Sequence, residues 1–146
     1  MPPTPDAVVR QWFREVWDEG KEEAIDRLLV ADAQVWGLSG PGGPALRGRE
    51  AFKPVFQMFR EALGDLQIII QRTVVEGDVC TAHFLVKGRH VGRALGGEPT
   101  NRPVAFYGMT IARVRDGQLV EGWNAIDFLT MYQQIGWVPN PVTPPA

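Results

Sequence analysis

Two histidines, one cysteine and scattered carboxylates are the groups this sequence offers for chemistry. Side chains alternate faces along a strand. His90 shares parity with Cys80, Ala82, Phe84 and Val86, an apolar side, while His83 falls with Thr81, Lys87 and Arg89. His90 is therefore the inward histidine and His83 the surface one. An inward imidazole serves either as an acid/base in a pocket or as a buried ring bonded to a backbone carbonyl. Asp127 directly precedes FLTMYQQIG. At the end of a strand among apolar neighbours, its carboxyl would rise in pKa and exchange protons. As a helix cap it would accept backbone N–H bonds and be the weaker base. Asn124 takes up no proton, but it can donate to an oxyanion or orient a ligand. Lone Cys80 has no partner histidine at a readable spacing and reads as a core residue. Two histidines and one cysteine give no metal-ligand spacing. Gly40-Pro41-Gly42-Gly43 lacks the Lys-Ser/Thr of a phosphate loop.

These residues need elements to hold them. Thr4 and Pro5 open a helix with Val9, Trp12, Phe13, Val16 and Trp17 on one stripe, ended by Gly20. A short second helix buries Ala24, Ile25, Leu28 and Leu29, and a third runs from about Glu50 to Leu63 with Gly64 as its stop. Strand periodicity then takes over: Leu66 to Val75, Val79 to about Val91, Val104 to Arg115 and Gln118 to Ile126, with turn signals at Gly77-Asp78 and Asp116-Gly117. Asp127 and Gly136 bracket a last short helix. Helices first and an antiparallel sheet afterwards predict an α+β fold. The chain reads as one domain over residues 1–146, with extended Pro-rich tails at about 1–4 and 138–146.

The even face of the third long strand is small at its centre, with Gly108 and Thr110 between Phe106 and Ala112; the next strand offers Gly122 and Asn124 before Ile126. A two-residue turn pairs Arg115 with Gln118, and a three-residue turn pairs Val114 with Gln118. The three-residue turn is preferred because it sets Gly108 against Asn124 and Thr110 against Gly122. The small residues then gather into one depression, bordered by Phe84, Phe106, Ile126 and Trp36 and roofed by the aromatic helices. Pockets for small apolar molecules are built this way. The opposite face would present Tyr107, Met109, Ile111, Leu119 and Trp123, too apolar for solvent, and reads as a surface for self-association.

The chain has 146 residues, with 15 Lys plus Arg against 17 Asp plus Glu, a formal charge of −2. That balance lacks the basic footprint of a nucleic-acid binder. No apolar run approaches the ~20 residues that span a bilayer, and the first residues lack a secretion-signal pattern. The expectation is a cytoplasmic protein without nucleic-acid or membrane partners.

The segment GRHVGRALGGEPTNRPV (residues 88–104), then ARVRDGQLVEGW and D-x-x-x-x-x-QQIG, resembles the SnoaL-like polyketide cyclases of the nuclear transport factor 2 superfamily. The resemblance covers most of the chain. It implies a cone-shaped fold, three helices on a strongly curved antiparallel sheet around a deep cavity, usually oligomeric, with no metal or cofactor. It also implies an activity, ring closure of a polyketide-like or polycyclic molecule after a carboxylate removes a proton between carbonyls, or a related epoxide-opening, isomerase or hydroxylase reaction. Through the DG turn the family's acid/base aspartate falls on Asn124, a pocket histidine on Thr110 and a pocket glutamine on Gly108. His90 matches the motif histidine and Asp127 an acidic residue after the last strand. The sequence thus points to His90 or Asp127 as acid/base, with Asn124 and Thr110 orienting. A binding or dimerisation module that has lost the carboxylate is the alternative.

Overall fold

Thr4 Oγ1 accepts a hydrogen bond from the Ala7 backbone N–H at 3.2 Å, and Pro5 takes the first helical position, so helix α1 begins as written at Pro5–Trp12. The computed structural model describes residues 1–40 and 42–141; Pro41 of the Gly/Pro loop and residues 142–146 of the expected C-terminal tail lie outside the described residues. Helix α1 continues with π geometry over Phe13–Asp18 and ends before Gly20. Helix α2 spans Glu22–Leu28 and α3 Arg49–Ala62, the latter passing through Pro54. Gly64 is not the stop of α3. The backbone is already extended at Leu63, which opens strand β3 (Leu63–Glu76), three residues earlier than the periodicity suggests.

Strands β4 (Val79–His90), β5 (Pro103–Arg115) and β6 (Gln118–Ile126) follow, then helix α4 at Phe128–Gln134. Two strands precede them that the sequence reading missed, β1 (Leu29–Trp36) and β2 (Leu46–Arg47). The six strands lie in the order β2-β1-β6-β5-β4-β3. All pairs are antiparallel except β1 with β6, which run parallel. The expected α+β cone holds, but its sheet is mixed and not closed. α2 hands the chain directly to β1, and this crossover brings β1 beside the last strand. Bulges in β3 and β6 break the ladders locally, and bulges increase twist and bend a sheet.

The β5–β6 turn corrects the preferred register. Asp116 and Gly117 both have positive φ, 52° and 78°, a two-residue turn that pairs Arg115 with Gln118. One residue later the ladder shifts, from Val114↔Leu119 to Arg113↔Glu121, leaving Val120 as the extra residue of a bulge. Beyond it Thr110 faces Asn124, Gly108 faces Ile126 and Ala112 faces Gly122. The turn and the bulge each shift parity once, so the even-numbered face is still the inner one. Leu119 lies before the bulge, and it is buried instead of joining the outer face.

One core fills the space between helices and sheet. It includes Val8, Val9, Trp12, Phe13 and Val16 from the first helix, Phe52 and Phe56 from α3, and Cys80, Ala82, Phe84, Phe106 and Ala112 from the strands. No helix among the described residues is long and apolar enough to cross a membrane.

Candidate active site

A cavity of about 100 Å³ remains between the inner face of the sheet and the helices. The sheet contributes Phe84, Phe106, Thr110, Ala112, Leu119, Gly122, Asn124 and Ile126; the helices contribute Trp12, Phe13, Trp17, Phe52, Phe59 and Phe128. The π segment explains how one helix can aim so many rings at one space. Trp12 and Trp17 are five residues apart, and in an unbroken α-helix they would diverge by about 140°. Bonding from residue i to i+5, seen where the Glu19 N–H donates to the Arg14 carbonyl at 2.9 Å, brings both indoles to the cavity side. Arg60 Nη1 fixes the end of this segment by donating to the Trp17 carbonyl at 2.8 Å. Phe59 of α3 stacks on Phe128 of α4, ring centroids 5.4 Å apart and planes 7° from parallel, and Trp17 meets Phe59 edge-on at 6.4 Å. The roof of aromatic rings is therefore present, and it takes up much of the cone.

Among the described lining residues, only Thr110, Asn124 and Glu121 carry side-chain oxygens. Glu121 stands opposite Arg113 and Gln34, on the outer side of the sheet, where its Oε2 accepts a bond from Trp36 Nε1 at 3.1 Å. The side-chain oxygens that face the cavity are thus those of Thr110 and Asn124. Thr110 Oγ1 donates to Asn124 Oδ1 at 2.7 Å, and Asn124 Nδ2 donates to the Trp36 carbonyl at 2.9 Å. The β1–β6 pairing supplies that carbonyl, and Gly37 lets the backbones close up, since a Cβ there would run into the Asn124 carbonyl. A carbonyl only accepts, so the Asn124 amide must turn its nitrogen to Trp36, which leaves its oxygen for Thr110. Both side chains are neutral. They can hold a ligand oxygen, but neither removes a proton from carbon at ordinary pH.

The remaining residues singled out in the sequence lie elsewhere. Trp36 is not on the cavity border: it pairs with Trp123 on the outer face and gives the site only its carbonyl. Gly108 lines no open space, because the Phe84 ring occupies the place of a side chain there. Asp127 does not line the cavity but caps α4, its Oδ1 accepting from the Thr130 N–H at 3.0 Å and its Oδ2 from the Thr130 hydroxyl at 2.6 Å. His90 is fully buried outside the cavity. Its Nδ1 accepts from the Thr100 N–H at 3.1 Å, which leaves the ring proton on Nε2, an atom with no hydrogen-bond partner among the described residues. Trp137 meets the His90 ring edge-on at 5.0 Å. Burial pushes the Cys80 thiol above its ordinary pKa, in keeping with a core residue. No group of three or more metal-ligating side chains occurs among the described residues. The reading missed Val35 and Leu119 as lining and the Trp36 carbonyl as an anchor. The alternation of Ala31, Ala33 and Val35 with Asp32 and Gln34 is the signal that would have revealed β1.

The SnoaL-like polyketide cyclase family model matches residues 7–135. The chain belongs to that family. Aklanonic acid methyl ester cyclase DauD of Streptomyces sp. (strain C5) is 26% identical over 157 aligned positions, covering 99% of this chain and 93% of that protein. Wild-type IdmH from Streptomyces antibioticus superposes with a TM-score of 0.79 at 28% identity, covering 92% of this chain and 99% of the other. A SnoaL-like protein from Jannaschia sp. CCS1 reaches a TM-score of 0.81 at 22% identity, covering 92% and 93%, and shows the shared fold. Within this SnoaL-like frame, the polar side chains facing the cavity are Thr110 and Asn124.

Proposed function

We propose that this SnoaL-like protein binds a neutral, polyketide-derived molecule in its cavity and promotes ring closure by holding the reacting ends together, without a proton-abstracting side chain. The observation that carries the reading is the Thr110–Asn124 pair, two neutral and oriented polar groups in an otherwise apolar cavity. Family membership and the cyclase named among its relatives support ring closure as the reaction class. A 1,3-dicarbonyl ligand enters as its enol. The enol O–H donates to Thr110 Oγ1, and the enol oxygen accepts the second Asn124 Nδ2–H. The enol carbon then attacks a ketone carbon of the same molecule. One C–C bond forms, the enol oxygen becomes a carbonyl, and its proton ends on the former ketone oxygen, now a hydroxyl. Orientation of this kind replaces encounter and is the part of catalysis such a site can supply.

Among the described residues the one lining carboxylate, Glu121, turns to Trp36 Nε1 on the outer side of the sheet, and this equally favours a second reading, a module that binds such molecules without turnover. Incubation with neutral β-keto esters carrying a second ketone, followed by chromatography, separates the two. Cyclised product above the protein-free rate, reduced in Thr110→Val, supports the enzyme; tight binding with no acceleration supports the binding module. Neither binding nor product overturns both. We also propose that the outer sheet face around Tyr107, Met109, Ile111 and Trp123 pairs two copies of the chain.

A further inference from the structure

We infer that Glu121, on the outer side of the sheet, is a positioning residue of the cavity: through Trp36 it fixes which way the Asn124 amide points. That link is independent of what the cavity binds; only its consequence for a ligand rests on the reading proposed above. Three hydrogen bonds run in series from the outer side to the cavity. Trp36 Nε1 donates to Glu121 Oε2 at 3.1 Å, Asn124 Nδ2 donates to the Trp36 carbonyl at 2.9 Å, and Thr110 Oγ1 donates to Asn124 Oδ1 at 2.7 Å. The middle bond decides the orientation. Turned over, the Asn124 amide would still find a partner in Thr110, because a hydroxyl accepts as well as donates. The Trp36 carbonyl only accepts, and it would repel Asn124 Oδ1. As held, the pair offers a ligand Thr110 Oγ1 as acceptor and the second Asn124 N–H as donor; turned over, it would offer the Thr110 proton instead.

The strand that supplies this carbonyl is weakly held where it matters. After Leu29 the β1–β6 ladder shifts, and pairing resumes only at Gln34, Val35 and Trp36, opposite Glu121, Gly122 and Trp123. Trp36 is the last residue of β1, and Gly37, with φ 89°, turns the chain away. The end of so short a ladder frays readily. Glu121 stands opposite Gln34, two residues from Trp36 and on the same face, so its bond to the indole clamps that end against β6. A carboxylate is a strong acceptor for such a bond. Arg113, the neighbour of Glu121 on β5, is engaged elsewhere: its Nη1 donates to both Asp78 oxygens, at 2.9 and 3.1 Å. Glu121 is thus left to the indole.

Hydrogen exchange read by NMR tests the clamp, with the Asn124 side-chain signals identified by their loss in Asn124→Ser. Glu121→Ala and Trp36→Phe each delete one side of the clamp. In both, the Asn124 Nδ2 protons should exchange roughly fivefold faster than in the wild type, the factor one net hydrogen bond carries. Combining the two should add nothing further, because both remove the same bond. Glu121→Gln still offers the indole an acceptor and should keep the wild-type rate. The backbone amides of Phe84 and Ala112 should exchange alike in all these proteins. An Asn124 rate unmoved in both Glu121→Ala and Trp36→Phe, a Glu121→Gln protein as fast as Glu121→Ala, or an equal acceleration at Phe84 and Ala112 overturns the positioning role. Titration with ethyl acetoacetate, a neutral β-keto ester, reads the consequence: binding should weaken roughly fivefold in Glu121→Ala and stay unchanged in Glu121→Gln. If exchange responds as expected while affinity does not move, or no protein binds the ester, the positioning role stands and the cavity reading falls.

Discussion

Thr110 and Asn124 face each other directly across β5 and β6, joined by a 2.7 Å hydrogen bond whose direction is set by a third atom, the Trp36 carbonyl on β1. Three strands therefore hold one amide. Replacing Thr110 by Val keeps the shape but deletes the donor, leaving Asn124 Oδ1 with one partner fewer in an apolar setting. The expected cost is about 1–2 kcal/mol of unfolding free energy, measurable by urea denaturation. Hydroxyl ligands should weaken with it, because Thr110 Oγ1 is their acceptor. A Thr110→Val protein that binds a neutral β-keto ester as the wild type does would show that this pair does not contact ligand.

Asp127 offers a cleaner separation of capping from chemistry. Its two oxygens are taken by the N–H and hydroxyl of Thr130. Asn caps a helix about as well as Asp, whereas Ala does not. Asp127→Asn should therefore match the wild type in stability and in turnover, while Asp127→Ala loses about 1 kcal/mol with ligand affinity unchanged. Loss of turnover in the stable Asp127→Asn protein would return this carboxylate to the chemistry.

Local rules carried much of this fold. The Thr4-Pro5 start, the Asp127 cap and the even-numbered inner face of β4 and β5 depend on neighbours in sequence, and the structure has them as read. β1 was lost because Leu28 and Leu29 continue a helical stripe, and only its tertiary place beside β6 shows the break. The β5–β6 register depended on a bulge at Val120 that no turn residue announces. The side on which Trp36 lies depends instead on β1, whose pairing with β6 sets it opposite Trp123 on the outer face. His90 was correctly inward, but which buried group meets an inward ring depends on loop 91–102 and Trp137, too distant in sequence for strand parity to reveal. Gly108 read as an empty place; that Phe84 fills it follows from cross-strand pairing.

Asp18 gives a pH dependence of definite sign. Burial holds its carboxyl above the ordinary aspartate value, partly offset by the Ile68 N–H, which donates to Oδ1 at 2.6 Å. A raised native pKa means the folded chain binds this proton more tightly than the unfolded chain. The associated stabilisation is complete below the unfolded value near 4 and disappears as pH rises through the native one. Asp18→Asn keeps an acceptor for Ile68 but carries no charge. Its stability relative to wild type should therefore increase between pH 3 and pH 7 in paired urea titrations. A difference that is constant across that range would mean the carboxyl is not titrating against burial.

The outer face supplies a prediction about assembly that is independent of the cavity. Tyr107, Met109 and Ile111 are 53%, 52% and 43% exposed along one side of β5, and His83 stacks on Tyr107 at 5.3 Å. Neighbouring Trp123 and Trp36 widen the apolar surface. Contiguous apolar area of this kind is uncommon on monomers, and a two-fold pair would bury it against itself, each copy presenting the same patch. The wild type should sediment as a dimer at micromolar concentration, and Met109→Lys combined with Ile111→Glu should sediment as a monomer. Because both side chains already contact water and neither lines the cavity, the variant should keep the wild type's affinity for neutral β-keto esters and its secondary structure. A wild type that sediments as a monomer, or a double variant that remains a dimer, would remove this face from the assembly.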